Sequence, residues 1–214
     1  YRDGDRIPLP PEAGHHAADV LRLRAGDLIV LFDGTGREAD AVLVDTPEGL
    51  AAEVRSVRHR KAPDVAIALF QAIPKATHMD LVIEKAVEVG VAAVYPVISA
   101  RVVVKLEGAR RERRHARWQR IARSAAEQSG APHLPEVKPI ESFDAALNRM
   151  RKEVDTILIA TVSASVRPLK SVVRELKTDN RRRTALMIGP EGDWTPSEID
   201  AAKRAGAIPV SFGS

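Results

Sequence analysis

Between residues 184 and 200 the chain reads T-A-L-M-I-G-P-E-G-D-W-T-P-S-E-I-D, and its residue types are those of a ligand-binding turn. Ala185 to Ile188 is an apolar run of strand length that stops at Gly189-Pro190, a pair that neither a central strand nor a helix accommodates. Thr195 then stands where a helix N-cap belongs. Pro196 occupies the first helical position and Glu198 lies three residues past the cap, which makes a capping box. Gly189 and Gly192 leave backbone N–H and C=O groups uncovered at the carboxyl end of a strand, where open α/β sheets take up ligands. The same residues also suit a tight strand-to-helix connection that holds nothing.

A second stretch carries charge rather than a turn. Residues 110–123 hold seven arginines and one glutamate, while Trp118, Ile121, Ala122, Ala125 and Ala126 recur at helical spacing. So many arginines cannot be neutralised within one helix, so this face is solvated, held by a polyanion, or offset by acidic groups elsewhere in the fold. The opposite stripe is alanine-rich and suited to packing on a sheet, which favours RNA over a membrane surface. His15 and His16 read as a surface or cap pair, and His59, His78, His115 and His133 show no metal-ligand spacing. With no cysteine, the chain has neither thiol chemistry nor disulfides.

These stretches need elements to position them, and 214 residues with 44% hydrophobic content can build a core of one large domain or two small ones. No run of about 18 apolar residues and no charged-then-apolar leader is present, so a cytoplasmic protein is expected. Residues 1–62 carry nine Lys/Arg against eleven Asp/Glu, and residues 63–214 carry twenty-four against eighteen, an excess that the arginine-rich helix alone supplies. In the first part, strands at 28–32, 39–44 and 51–57, with D-G-T-G as a hairpin connection, predict a small barrel or sandwich. Before them, Val20, Leu21 and Leu23 read as apolar anchors, with Arg22 and Arg24 exposed. R-H-R-K-A-P-D (58–64) reads as a boundary. Beyond it strand and helix alternate, the pattern of a mostly parallel sheet covered on both faces. The strands are expected at 65–70, 91–98, 136–140, 154–160, 185–188 and 207–212. The helices are expected at 79–87, 110–129, 143–152, 168–177 and 196–205, and Pro96 marks an edge or an early end.

Five blocks together resemble the RsmE family, bacterial small-subunit ribosomal RNA uridine-N3 methyltransferases of the SPOUT superfamily. They are I-G-P-E-G-D-W-T-P-S-E-I (188–199), H-H-A-A-D-V-L-R-L-R-A-G-D (15–27), E-K-A-V-E-V-G-V with Y-P-V (84–97), A-R-V-V-V-K (100–105) and R-W-Q-R-I-A-R-S-A-A-E-Q-S-G (117–130). The resemblance implies an N-terminal PUA-like β-barrel over 1–62 and a SPOUT α/β domain over 63–214, ending in a trefoil knot. It implies S-adenosylmethionine as cofactor, a homodimer, and methylation of N3 of one uridine in the decoding region, within the assembled small subunit. The cofactor residues it implies are Ala160, Thr161, Ile188, Gly189, Pro190, Glu191, Gly192, Ser211, Phe212 and Gly213. Transfer to N3 displaces a proton and builds charge on the flanking carbonyls, for which Arg101 is the candidate cation and Glu191 the candidate base. Arg22, Arg24, Lys75, Lys105, Arg114, Arg117 and Arg120 are the expected phosphate contacts.

The sequence departs from the family pattern twice. Asp193 stands where the family usually has a second glycine, adding a side chain and a charge beside the loop. The family also continues past the final L-G with R-I-L-R-x-E-T-A, a segment that this sequence, ending at Phe212-Gly213-Ser214, lacks; the last part of the knot and of the pocket is expected to be missing with it. These departures keep open a non-catalytic RNA-binding or ribosome-assembly factor on the same fold, alongside a SPOUT methyltransferase of another RNA.

Overall fold

Alternating apolar residues give the first part of the chain its strands. In the computed structural model, which describes residues 2–101, 108–162, 166–176 and 183–213, the chain divides into two compact units, Tyr1–Ala62 and Pro63–Ser214. The first unit contains β1 (Arg6–Pro8), β2 (Leu28–Phe32), β3 (Arg37–Thr46) and β4 (Gly49–His59), paired antiparallel in the order β1-β4-β3-β2. Ala39, Ala41, Leu43, Ala52 and Val54 are buried on its core side. Where the register shifts between Asp40 and Ala41, Arg58 donates to both Glu38 and Asp40. The guanidinium of Arg58 holds the Glu38 carboxyl below its ordinary value, against the opposing effect of burial. The ladders form an open path rather than a closed barrel, with no β1–β2 ladder among the described residues.

The apolar anchors expected before β2 need correction. A short helix α1 (Pro11–His15) runs into a π-helical turn over His16–Val20, and Val20 and Leu21 are 59% and 54% exposed. The widened turn ends at Leu21, and Arg22 takes a left-handed backbone (φ 58°), so no continuous helical stripe forms. Ala17 is the buried residue there, while Arg22 and Arg24 are exposed as expected.

The second unit has β5 (Ala66–Ala72), β6 (Ala93–Ile98), β7 (Glu136–Val137), β8 (Glu141–Ser142), β9 (Thr156–Ala160), β10 (Arg167–Pro168), β11 (Arg183–Ile188) and β12 (Ile208–Ser211). The order is β10-β12-β9-β11-β5-β6-β7, with β8 also on β6, and every ladder is parallel. Its helices are α2 (His78–Glu88), α3 (Gly108–Ser129), α4 (Phe143–Glu153), α5 (Leu169–Leu176) and α6 (Pro196–Arg204). β9 is buried along its whole length, as a strand covered on both faces must be. Phe70 and Tyr95 stack with ring centroids 4.0 Å apart in a core that also takes in Phe143, Ile159, Met187 and Trp194.

The single strand expected at 136–140 is two separate pairs, β7 and β8. On that side of β6 they pair with Ala93–Val94 and with Val97–Ile98. Tyr95 and Pro96 lie in the gap between them. Proline has no N–H to offer a ladder, so its edge-like character is met within a strand whose other side pairs with β5 from Ala93 to Val97. Among the described residues no helix is long and apolar enough to cross a membrane.

Candidate active site

The order of the sheet brings three strand ends together. Because β9 lies between β11 and β12, the segments leaving Ala160, Ile188 and Ser211 emerge side by side at the carboxyl edge, and a cleft of about 720 Å³ opens among them. It is lined by Ala160, Thr161, Ile188, Gly189, Pro190, Glu191, Gly192, Ser211, Phe212 and Gly213, joined by Val162, Val166 and Asp193. The structure thus brings together all ten residues that the family resemblance assigns to a ligand. Val162 (87% exposed) and Phe212 (62% exposed) present apolar surface to solvent there.

The loop after β11 is held at nearly every residue. The Gln71 side chain, buried at the end of β5, donates through Nε2 to the Gly189 carbonyl (3.4 Å). Asp193 N donates to the Pro190 carbonyl (2.9 Å). Glu191 Oε1 accepts from the Lys75 amide (2.9 Å), and His78 Nδ1 lies 3.6 Å from the same oxygen. Arg101 Nη1 donates to the Gly192 carbonyl. Asp193 Oδ2 accepts from the Thr161 hydroxyl (2.7 Å) and the Val162 amide (3.1 Å), clasping the loops that follow β9 and β11. Pre-set geometry of this kind spares a ligand the cost of ordering the loop.

Two residues of the loop are fixed by sterics. A Cβ on Gly189 would come within 3.3 Å of the backbone of Asp193, so a side chain there would push the turn by a few tenths of an ångström. Asp193 itself has φ 60°, a left-handed backbone that aspartate adopts more readily than most residues with a side chain. Past the loop the capping box forms as the sequence predicts, with Glu198 N donating to Thr195 Oγ1 and Thr195 N to Glu198 Oε2. Glu198 goes further: its Oε1 accepts from Ala100 N (2.8 Å) and ties the end of β6 to the start of α6. That contact, together with Gln71, escapes a sequence reading because each partner lies more than 90 residues away.

Electrostatics distinguish this cleft from the rest of the chain. Of 33 Lys/Arg and 29 Asp/Glu, its described lining includes Glu191 and Asp193 and no lysine or arginine. The Glu191 carboxyl is held below its ordinary value by its own backbone N–H and then by that of Lys75, with burial opposing. It is therefore a good hydrogen-bond acceptor and a weak base. Arg101 is exposed and sits against Gly192, its Cδ 3.5 Å from where a Cβ there would be.

The expected phosphate contacts are spread over both units. Arg22 and Arg24 are exposed in the first, and Lys75 and Arg120 in the second. Arg114 is partly buried. Arg117 is paired with Asp80 at 2.7 Å, which also accepts from Trp118 Nε1 (3.1 Å). Lys105 lies outside the described residues. Arg110 and Arg113 share with Arg117 and Arg120 one exposed helical row (i, i+3, i+7, i+10) on α3.

Comparison with known proteins follows the same division. A family described as RNA methyltransferase domain matches residues 60–214, and one described as RNA methyltransferase PUA domain matches residues 9–54. The chain is 35% identical over 208 residues to ribosomal RNA small subunit methyltransferase E of Mycobacterium bovis, covering 94% of this chain and 77% of that protein. It is 29% identical over 208 residues to the protein of that name in Bacillus subtilis, covering 94% and 80%. Among solved structures, a ribosomal RNA small subunit methyltransferase E from Neisseria gonorrhoeae bound to S-adenosyl methionine superposes with TM-score 0.86 at 35% identity, covering all of this chain and 85% of the other.

Proposed function

The chain belongs to the ribosomal RNA small subunit methyltransferase E family, and from that premise we propose that it transfers a methyl group from S-adenosylmethionine to N3 of one uridine in the decoding region of the small-subunit ribosomal RNA. It acts in the cytoplasm, as a homodimer, on the assembled subunit. The observation that carries the reading is the cleft at the ends of β9, β11 and β12: its described lining is acidic within a basic protein, and its backbone is fixed before any ligand arrives. The carboxyl edge of a parallel sheet is where such folds bind ligands. A trefoil knot fits the insertion of β12 between β9 and β10, strands that precede it in sequence.

The residues present fit the cofactor. Its sulfonium and ammonium groups outnumber its one carboxylate, so a cleft with two carboxylates and no described cation favours it over anionic nucleotides. Ala160, Thr161, Ile188, Gly189, Pro190, Glu191, Gly192, Ser211, Phe212 and Gly213 would hold it. When bound, it supplies an already activated methyl group, leaving the protein to orient the nucleophile.

Arg101 is the proposed catalytic cation. One of its five N–H donors goes to Gly192, and the others, which have no further partner among the described residues, would meet the charge that grows on the uracil carbonyls as N3 loses its proton. Glu191, with its lowered carboxyl, acts through the Lys75 loop as a positioning residue in place of the base that its position first suggests. The exposed arginines of α3, with Lys75, Arg22 and Arg24, hold the phosphate backbone.

Tritium transfer from labelled cofactor to unmodified small subunits and to free RNA, followed by nucleoside analysis, tests the reading. Label in 3-methyluridine, greater on subunits, is the expected result. Label in another nucleoside overturns the target, and no label with bound cofactor leaves an RNA-binding factor in its place.

A further inference from the structure

Asp193 adds to the cleft something the loop geometry alone does not require. Its Oδ2 takes both clasping bonds, from the Thr161 hydroxyl and the Val162 amide, while Oδ1 lies 3.3 Å from where a Cβ on Gly189 would be. The side chain is partly buried and lines the cleft. An uncharged acceptor such as asparagine could make the same two bonds, so the clasp does not account for the charge.

We infer that the Asp193 carboxylate, clasped to Thr161 and Val162 at the wall of the cleft, makes the cleft selective for the positively charged methyl donor over the neutral thioether left after transfer. The inference rests on the cofactor reading above. Loss of the methyl group turns a sulfonium into a thioether, so the reaction removes one positive charge from a ligand whose shape hardly changes. A fixed negative charge in the wall stabilises the donor and not the product, which promotes exchange of spent for fresh cofactor. The other charged groups nearby add to or offset this field: Glu191, engaged with the Lys75 amide and facing His78, is the second carboxylate of the lining, and Arg101 meets the carbonyl of Gly192.

Titration calorimetry with S-adenosylmethionine, S-adenosylhomocysteine and the amine analogue sinefungin on the native chain, Asp193→Asn and Thr161→Val tests it. Asp193→Asn keeps an acceptor for the clasp and removes the charge. Its preference for the two cations over the neutral thioether should fall roughly three- to ten-fold, mainly through weaker donor binding, given the screening of a partly exposed site. Thr161→Val removes one clasping bond and keeps the charge, so it should weaken all three ligands by a similar factor. The native chain should lose part of its preference as salt rises. An unchanged donor-to-product ratio in Asp193→Asn, or a native ratio indifferent to salt, overturns the inference and leaves the cofactor reading standing. Failure of the native chain to bind any of the three overturns both.

Discussion

Glu191 shows how one side chain in a ligand loop can be a tether. Its carboxyl is held below its ordinary value chiefly by backbone N–H groups, so the tie to Lys75 is fully present above the ordinary carboxylate range and is lost as pH falls through the lowered folded value. The Lys75 amide resonance should follow that titration and should stop doing so in Glu191→Gln; a Lys75 signal blind to acid would remove the tether. Gly189 carries a steric argument of the same scale. In Gly189→Ala the new methyl group meets Asp193 backbone at 3.3 Å, so the turn must shift by a few tenths of an ångström. Affinity for S-adenosylmethionine should drop about ten-fold or more while melting changes little, because the loop is a surface element. Wild-type affinity in that variant would show the turn to be slack.

At the scale of elements, the Asp80 carboxylate links α2 to α3. Asp80 accepts from Trp118 Nε1 and from Arg117, and Trp118 is only 2% exposed. Asp80→Ala should therefore leave a buried indole N–H without a partner and cost about 1–3 kcal/mol by denaturant titration. A loss no greater than that of an exposed alanine substitution would mean that water replaces the carboxylate. The same ion pair changes the reading of the basic helix, since Arg117 is partly neutralised within the fold while Arg110, Arg113 and Arg120 have no ion pair among the described residues. Helical spacing shows which arginines share a row, but it does not show which of them has an acid opposite on another helix.

For the whole molecule, the consequence is a division of charge: an acidic cleft in a basic protein whose one arginine-rich helix supplies the excess. Replacing Arg110, Arg113 and Arg120 together by glutamine should weaken RNA binding and lower the slope of log affinity against log salt by up to about three, one for each phosphate left without its arginine. Cofactor affinity should stay unchanged, because none of the three lines the cleft. A salt slope equal to that of the native chain would take α3 out of the RNA interface.

Local patterns were enough to read the turn at 188–195, its capping box, the alternation of strand and helix and the arginine-rich helix, because each is set by residues a few positions apart. The family resemblance supplied the other two loops of the cleft, which no periodicity connects to the first. Only the tertiary structure decided that β9 lies between β11 and β12, and so that Thr161 meets Asp193, Gln71 meets Gly189 and Glu198 meets Ala100. It also exposed Val20 and Leu21, whose apolar spacing would place them in a core. The physical reason is common to all of these. Side-chain hydrogen bonds and burial depend on which strands become neighbours, and that order is a property of the whole sheet rather than of any stretch of sequence.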